Sequence, residues 1–139
     1  MKIEFVNELP SVEEYKFLRS SVGWNIVNDE GAVKKGIEGS LYCVLAKDGD
    51  KTVGIGRVVG DGGIMFTIVD IIAIPEYQGC GIGKTIVKNI MDWIEKNCVK
   101  GTRIMLCAAE GRESFYEQFG FIKRPTSGYG AGMHWDWAE

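Results

Sequence analysis

The sequence predicts an α/β (α+β) fold: a mixed, mostly antiparallel central sheet flanked by helices. Apolar runs at residues 41–46, 52–59 and 64–74 are separated by Lys47-Asp48-Gly49-Asp50 and Gly60-Asp61-Gly62-Gly63, both turns by composition. Three strands joined by tight turns make an antiparallel meander. A strongly amphipathic helix follows the third strand, and strand-like and helix-like segments then alternate to the end, which mixes strand directions.

Taken in order, Pro10 and Ser11-Val12-Glu13-Glu14 mark a helix start, with Ser11 as the cap and Glu14 completing a capping box. Val12, Tyr15, Leu18 and Val22 continue at helical spacing. The polar stretch 24–39, which contains Gly31, Gly36 and Gly39, holds a second short helix over 32–37. The three strands come next, and Pro75 stops the third. Ile82, Ile86, Ile90 and Ile94 then fall on one helical stripe, widened by Val87, Met91 and Trp93. After Gly101, residues 103–107 read as a strand and 112–119 as a short helix ended by Gly120. Residues 121–122 and 133–137 read as the last two strands. No repeat, low-complexity tract or linker interrupts residues 1–139, which read as one domain.

Composition excludes several function classes. With 45% hydrophobic and 25% charged residues the chain can bury an ordinary core. A net charge of -3 leaves no broad basic surface for nucleic-acid phosphates. No apolar run approaches the roughly 18–20 residues of a membrane span, and the N-terminal stretch mixes acids into its apolar positions, so a cytoplasmic location is expected. Cys43, Cys80, Cys98 and Cys107 are widely spaced, with one His in the chain, so no structural metal is expected and the thiols read as reduced. Cys43 and Cys107 lie inside apolar strand-like runs and read as small hydrophobes.

The informative segment is Gln78-Gly79-Cys80-Gly81-Ile82-Gly83-Lys84-Thr85, placed between a strand and the amphipathic helix. Glycines at 79, 81 and 83 leave the backbone unshielded, and the helix start adds free N–H groups and the positive end of its dipole. Such a loop holds a phosphate or pyrophosphate. The Walker pattern fits Gly83-Lys84-Thr85, but its first glycine position is occupied by Gln78, and the dinucleotide pattern would need a glycine at Lys84.

The spacing Gln78-x-x-Gly81-x-Gly83 resembles the pyrophosphate loop of the GNAT superfamily of acyl-CoA N-acyltransferases, and Phe115-Tyr116-Glu117-Gln118-Phe119-Gly120-Phe121 is similar to that superfamily's F-Y-x-x-x-G-F segment. The two motifs in this order span residues 64–122, and the element order extends the likeness over most of the chain. The resemblance implies a GNAT-like sheet and an N-acetyltransferase that moves acetyl from acetyl-CoA directly onto the primary amine of a small molecule in a ternary complex. It implies that backbone groups of Ile71, Ile72 and Ala73 pair with the pantetheine arm and polarise the acetyl carbonyl. The loop from Gln78 through Gly79, Cys80, Gly81, Ile82, Gly83 and Lys84 would hold the pyrophosphate. Tyr116 takes the position of the acid that protonates the leaving thiolate. One departure is Ala108-Ala109-Glu110-Gly111, where many relatives carry an asparagine that reaches the pantetheine.

For the acceptor's proton, Asp70 stands out as an acid between Val69 and Ile71, either as base and substrate anchor or as the partner of Arg57. Trp24, Arg57, Phe66, His134 and Trp135 are the candidate acceptor-binding residues, with aromatic faces suited to an ammonium group. The ending Gly132-Met133-His134-Trp135 is similar to that of small bacterial and plastid arylalkylamine-type acetyltransferases. Alternation would set His134 on the same face as Asp136. Two other functions compete: a non-catalytic acyl-CoA sensor of the same fold, and a P-loop nucleotide-binding protein. Toxin-type acetylation of charged tRNA is weakened by the missing basic face. An exposed C-terminal edge strand is compatible with a homodimer.

Overall fold

The computed structural model describes residues 2–137, which cluster into two compact units divided between Met105 and Leu106. The first unit carries strand β1 (Ile3–Val6), helices α1 (Val12–Ser21) and α2 (Glu30–Glu38), strands β2 (Tyr42–Asp48), β3 (Lys51–Gly60) and β4 (Met65–Ala73), a 3-10 turn at Pro75–Tyr77, and helix α3 (Ile82–Asn97). Strand β5 (Arg103–Leu106) crosses the boundary, and the second unit holds helix α4 (Glu113–Glu117). The sheet order is β1-β2-β3-β4-β5, with antiparallel pairing from β1 through β4. The expected mixed α/β architecture, a mostly antiparallel sheet flanked by helices, is therefore the observed one.

The local signals act as the sequence requires. Ser11 Oγ accepts from Glu14 N at 3.0 Å, and Glu14 Oε1 accepts from Ser11 N at 2.9 Å, so the capping box is complete. Asp29 caps α2 through Ala32 N, which starts that helix two residues ahead of the expected 32. The turn before β4 is closed by Asp61, whose Oδ1 accepts from the amides of Gly63, Ile64 and Met65 and whose acidity is raised by those bonds. Strand β1 was not legible: four residues at a sheet edge, all of them at least partly exposed, carry too little period-two pattern.

Two faces of the sheet do different work. Gly54 and Gly56 in β3 face α3, and a Cβ on Gly56 would sit 2.4 Å from Ile86 Cγ2 and 2.9 Å from Ile90 Cδ1. These glycines let α3 approach the sheet, so that Ile86 and Ile90 reach 0% exposure; each such side chain contributes about 1.5–3 kcal/mol of burial energy. On the opposite face Leu45, Ile55 and Ile72 lie in register across β2, β3 and β4, and α1 packs on β3 and β4.

Three expectations need correction. Residues 121–122 and 133–137 form no strand; among the described residues that stretch holds a lone bridge, Thr126 to Tyr129. Gly128, Gly130 and Gly132 interrupt the segment, and Ile122, Met133, Trp135 and Trp137 are 70–92% exposed, so no apolar face docks to fix a register. Strand β5 ends at Leu106, which leaves Cys107 exposed rather than inside a strand, whereas Cys43 is buried as expected. Phe66 belongs to the core: it is 3% exposed, and its ring meets Trp93 of α3 edge-on at 6.1 Å. No helix among the described residues is long and apolar enough to cross a membrane.

Candidate functional site

The glycine loop is built as its composition requires. After the 3-10 turn, Gln78 to Gly81 runs exposed into α3, and Gly79 and Gly81 both take φ of 80°. Side chains other than glycine resist that left-handed conformation. A Cβ at either position would meet no atom within 4 Å, so strain and not crowding explains the glycines, and the space above the backbone is open. Gly81 caps α3 without any side-chain hydrogen bond, and the first helical bond runs from Thr85 N to Gly81 O. The amides of Ile82, Gly83 and Lys84 thus lack helical acceptors. Gln78 Nε2 donates back to Ala73 O at 3.0 Å, which ties the loop to the end of β4. An uncapped helix start behind bare, open glycines is the donor set a pyrophosphate fits.

The end of β4 is distorted in a way that serves both faces. Ile55 pairs with Ile72 and Arg57 with Val69, so Asp70 and Ile71 together oppose Gly56, a β-bulge. Asp70 has φ of 56°, the one positive value at a non-glycine residue among those described. Without the extra residue, alternation would turn Asp70 toward α3 with Phe66 and Ile68; the bulge swings it to the face of Arg57 instead. Beyond the bulge, Ile74 N donates to Val53 O on β3 at 2.9 Å. By the same alternation the amide of Ile72 faces β3, and those of Ile71 and Ala73 face the other edge. Strand β5 starts level with β4, Arg103 N donating to Ile64 O at 3.1 Å, but has four residues against nine. Residues 71–73 therefore run past it with an unpaired edge.

Asp70 sits at the centre of a charged network. Its side chain is 5% exposed; Oδ1 accepts from Arg19 Nη1 at 2.6 Å, and Oδ2 accepts from Tyr15 Oη at 2.8 Å and Arg57 Nε at 3.0 Å. Arg57 also donates from Nη1 to Gly36 O and Ser40 Oγ. Burial, then the Asp70 charge and hydrogen bond, raise the Tyr15 phenol's pKa, which keeps it a donor. Both carboxylate oxygens accept hydrogen bonds, so this geometry makes Asp70 the partner of Arg57 and Arg19. Beside the network lies a cavity of about 280 Å³ between α1, the 22–29 connection, α2 and β3, with Arg19 and Arg57 as its charged lining residues. Trp24 lies under Arg19, whose guanidinium carbon is 5.4 Å from the ring centroid.

In the second unit, Tyr116 lies on α4 with its ring edge-on to Phe115 and Phe121, and burial raises its phenol pKa against a smaller opposing effect of Arg112. His134 is exposed, with Nε2 3.9 Å from Asp136 Oδ2, although no strand sets the two on a common face; Trp135 packs edge-on against Trp137. Of the predicted acceptor residues, Arg57 lines the cavity, Trp24 backs Arg19, and Phe66 is on the wrong face. Sequence reasoning missed Tyr15 and Arg19. Their spacing of four on one helix was visible, but nothing in the chain order ties them to residue 70. Among the described residues no group of three or more His, Cys, Asp or Glu could hold a metal.

A family model for the acetyltransferase (GNAT) domain matches residues 19–135. The uncharacterized N-acetyltransferase ycf52 of Pyropia yezoensis is 31% identical over 144 residues, covering 96% of this chain and 80% of that protein. A protein of unknown function from meticillin-resistant Staphylococcus aureus, described as a probable acetyltransferase, has a solved structure that superposes with a TM-score of 0.88 at 33% identity, covering 98% of this chain and 100% of the other. A GNAT-family acetyltransferase of Streptococcus pneumoniae TIGR4 superposes at 0.79 with 29% identity, covering 99% of this chain and 100% of the other.

Proposed function

The chain belongs to the GNAT acetyltransferase family, and from that premise we propose that it transfers acetyl from acetyl-CoA directly to the primary amine of a small molecule, with both substrates bound together. The observation that carries this reading is the pair of left-handed glycines, open above, leading into the uncapped start of α3. Bound there, acetyl-CoA supplies an activated thioester. The amides of residues 79–84 hold its pyrophosphate, and Lys84 and Lys88, both exposed on α3, add positive charge. The outward amides of Ile71 and Ala73 bind the pantetheine arm, and one of them stabilises oxygen charge at the acyl carbonyl as the amine attacks. Holding two reactants in register is itself a large part of the acceleration.

Tyr116 hydrogen-bonds the departing sulfur. A thiolate is a weaker base than a phenolate, and burial pushes the Tyr116 phenol up further, so full transfer from the tyrosine is uphill, and the bond acts mainly by steadying the thiolate until solvent supplies the proton. Asp70 is a positioning residue: it fixes Arg19 and Arg57 and turns the β4 backbone that presents Ile71. The acceptor then attacks as the free amine, its proton lost to water. The direct test is calorimetric titration with acetyl-CoA, with ATP and magnesium in parallel, followed by an amine screen for thiol release. Micromolar binding of acetyl-CoA with amine-dependent thiol release is expected. A preference for ATP would overturn the reading, and binding without turnover of any amine would favour an acyl-CoA sensor.

A further inference from the structure

The cavity beside Asp70 carries information about the acceptor. Its lining is Tyr15, Arg19, Asn25, Val27, Ala32, Val33, Gly36, Ile37 and Arg57, in which the charged groups are two guanidiniums and no carboxylate. Asp70, behind this wall, answers one of the two charges, so the network keeps a surplus of one positive charge. The two arginines are not equally engaged. Arg57 commits Nε to Asp70 and Nη1 to Gly36 O and Ser40 Oγ, and its Nη2 lies 2.9 Å from Asp70 Oδ2. Arg19 commits Nε to Asn25 O and Nη1 to Asp70 Oδ1, and its Nη2 donates to nothing among the described residues. With five N–H groups on a guanidinium, Arg19 therefore brings an unpaired end to the cavity while its other end is clamped. Its side chain is 23% exposed, which keeps that end within reach of a ligand.

The aromatic rings point the same way. Tyr15 has the guanidiniums of Arg57 and Arg19 at 5.5 and 6.0 Å from its ring centroid, and Trp24 takes the Arg19 guanidinium at 5.4 Å. Faces that would suit an ammonium group are occupied by the protein's own cations. A bare alkylamine or arylalkylamine entering as its ammonium form would meet a like charge beside rings that already hold the protein's own cations.

We propose that the acceptor is a small amine that also carries an oxyanion, carboxylate or phosphate, and that the oxyanion is held by Arg19 with Arg57 behind it. This rests on the acetyltransferase reading and names its substrate class. The uncommitted Nη2 of a clamped guanidinium offers charge-assisted N–H donors to either oxyanion, and being fixed in advance it loses little freedom on binding. The cavity, slightly below the usual range of about 300–1,000 Å³, suits an acceptor of amino-acid size. Arg57 on β3 is hydrogen-bonded to Asp70, the neighbour of Ile71, so the anion seat is tied to the stretch of β4 that carries the acyl segment.

The test is binding to the CoA-saturated protein of matched sets: an alkylamine, the amino acid whose decarboxylation gives it, and the aminoalkyl phosphate of the same chain length. The expected result is that an oxyanion member binds at least tenfold more tightly than its amine, with the larger gain identifying carboxylate or phosphate as the natural group. In Arg19→Gln that preference falls to about threefold or less while acetyl-CoA affinity is unchanged. Arg19→Lys keeps the ion pair to Asp70 and the melting temperature but has no second nitrogen to offer the cavity, so the preference drops without unfolding. Equal or tighter binding of the bare amine, or no binding by any member of any set, overturns the proposal. Failure of the wild-type protein to bind acetyl-CoA would instead overturn the acetyltransferase reading on which it rests.

Discussion

The two sides of β4 recognise ligands by different means. Toward its open edge and the glycine loop the recognition surface is backbone: the outward amides of Ile71 and Ala73 and the uncapped start of α3, with glycine where a side chain would strain the turn. Toward α1 and α2 it is side chain: Tyr15, Arg19 and Arg57 gathered on Asp70. One bulge produces both, since the residue that swings Asp70 to the arginines also resets the alternation that aims the next amides outward. A backbone surface suits a ligand common to a whole family. A side-chain surface is where acceptors can differ without disturbing it.

Breaking the side-chain half should have the largest effect on stability. Asp70→Ala leaves two guanidiniums with no carboxylate, one of them 11% exposed, and is expected to destabilise the fold by about 3–5 kcal/mol in denaturant titration. Asp70→Asn keeps a residue that tolerates the left-handed conformation and should lose clearly less, which separates charge from backbone strain. Equal losses for the two variants would mean that the ion pairs are not what holds this face.

The catalytic contribution of Tyr116 comes next. Tyr116→Phe should lower kcat by about a hundredfold with little change in KM for acetyl-CoA. In the wild type, kcat/KM should rise tenfold per pH unit up to the pKa of the acceptor amine, because no engaged carboxylate serves as base. A plateau beginning near pH 6–7 would point to a protein base and restore a catalytic role to an acid or to His134.

The backbone half should respond more selectively. Gly79→Ala and Gly81→Ala place a methyl in open space at φ of 80°, so each should cost about 1–2 kcal/mol of stability from strain. Acetyl-CoA affinity should fall by about tenfold, while acceptor binding holds. A fall in acceptor binding as large as that in acetyl-CoA binding would erase the distinction between the two sides.

The same contrast explains what the sequence could tell. The loop is local: Gln78, Gly81 and Gly83 stand within six residues, and Gly79 and Gly81 answer a constraint of their own backbone, so pattern and spacing reveal it. The capping box and the α3 stripe were legible for the same reason. The arginine network is non-local. Tyr15 and Arg19 meet Asp70 across 55 and 51 residues of chain, and the contact exists only because a bulge turns Asp70 out of its expected face. Alternation through residues 66–70 could not foresee that bulge. Phe66 was misplaced because an aromatic in a strand gives no sign of which face it takes. The strands expected over 133–137 failed because alternation is necessary for a half-buried strand but supplies no partner.

The most direct measurement is amide hydrogen exchange, read residue by residue with and without acetyl-CoA. Slowing is predicted at Ile71, Ala73 and residues 79–84, with little change along α1 and α2. Protection centred on Arg19, Arg57 and α2, with the glycine loop unaltered, would contradict the assignment of the two sides.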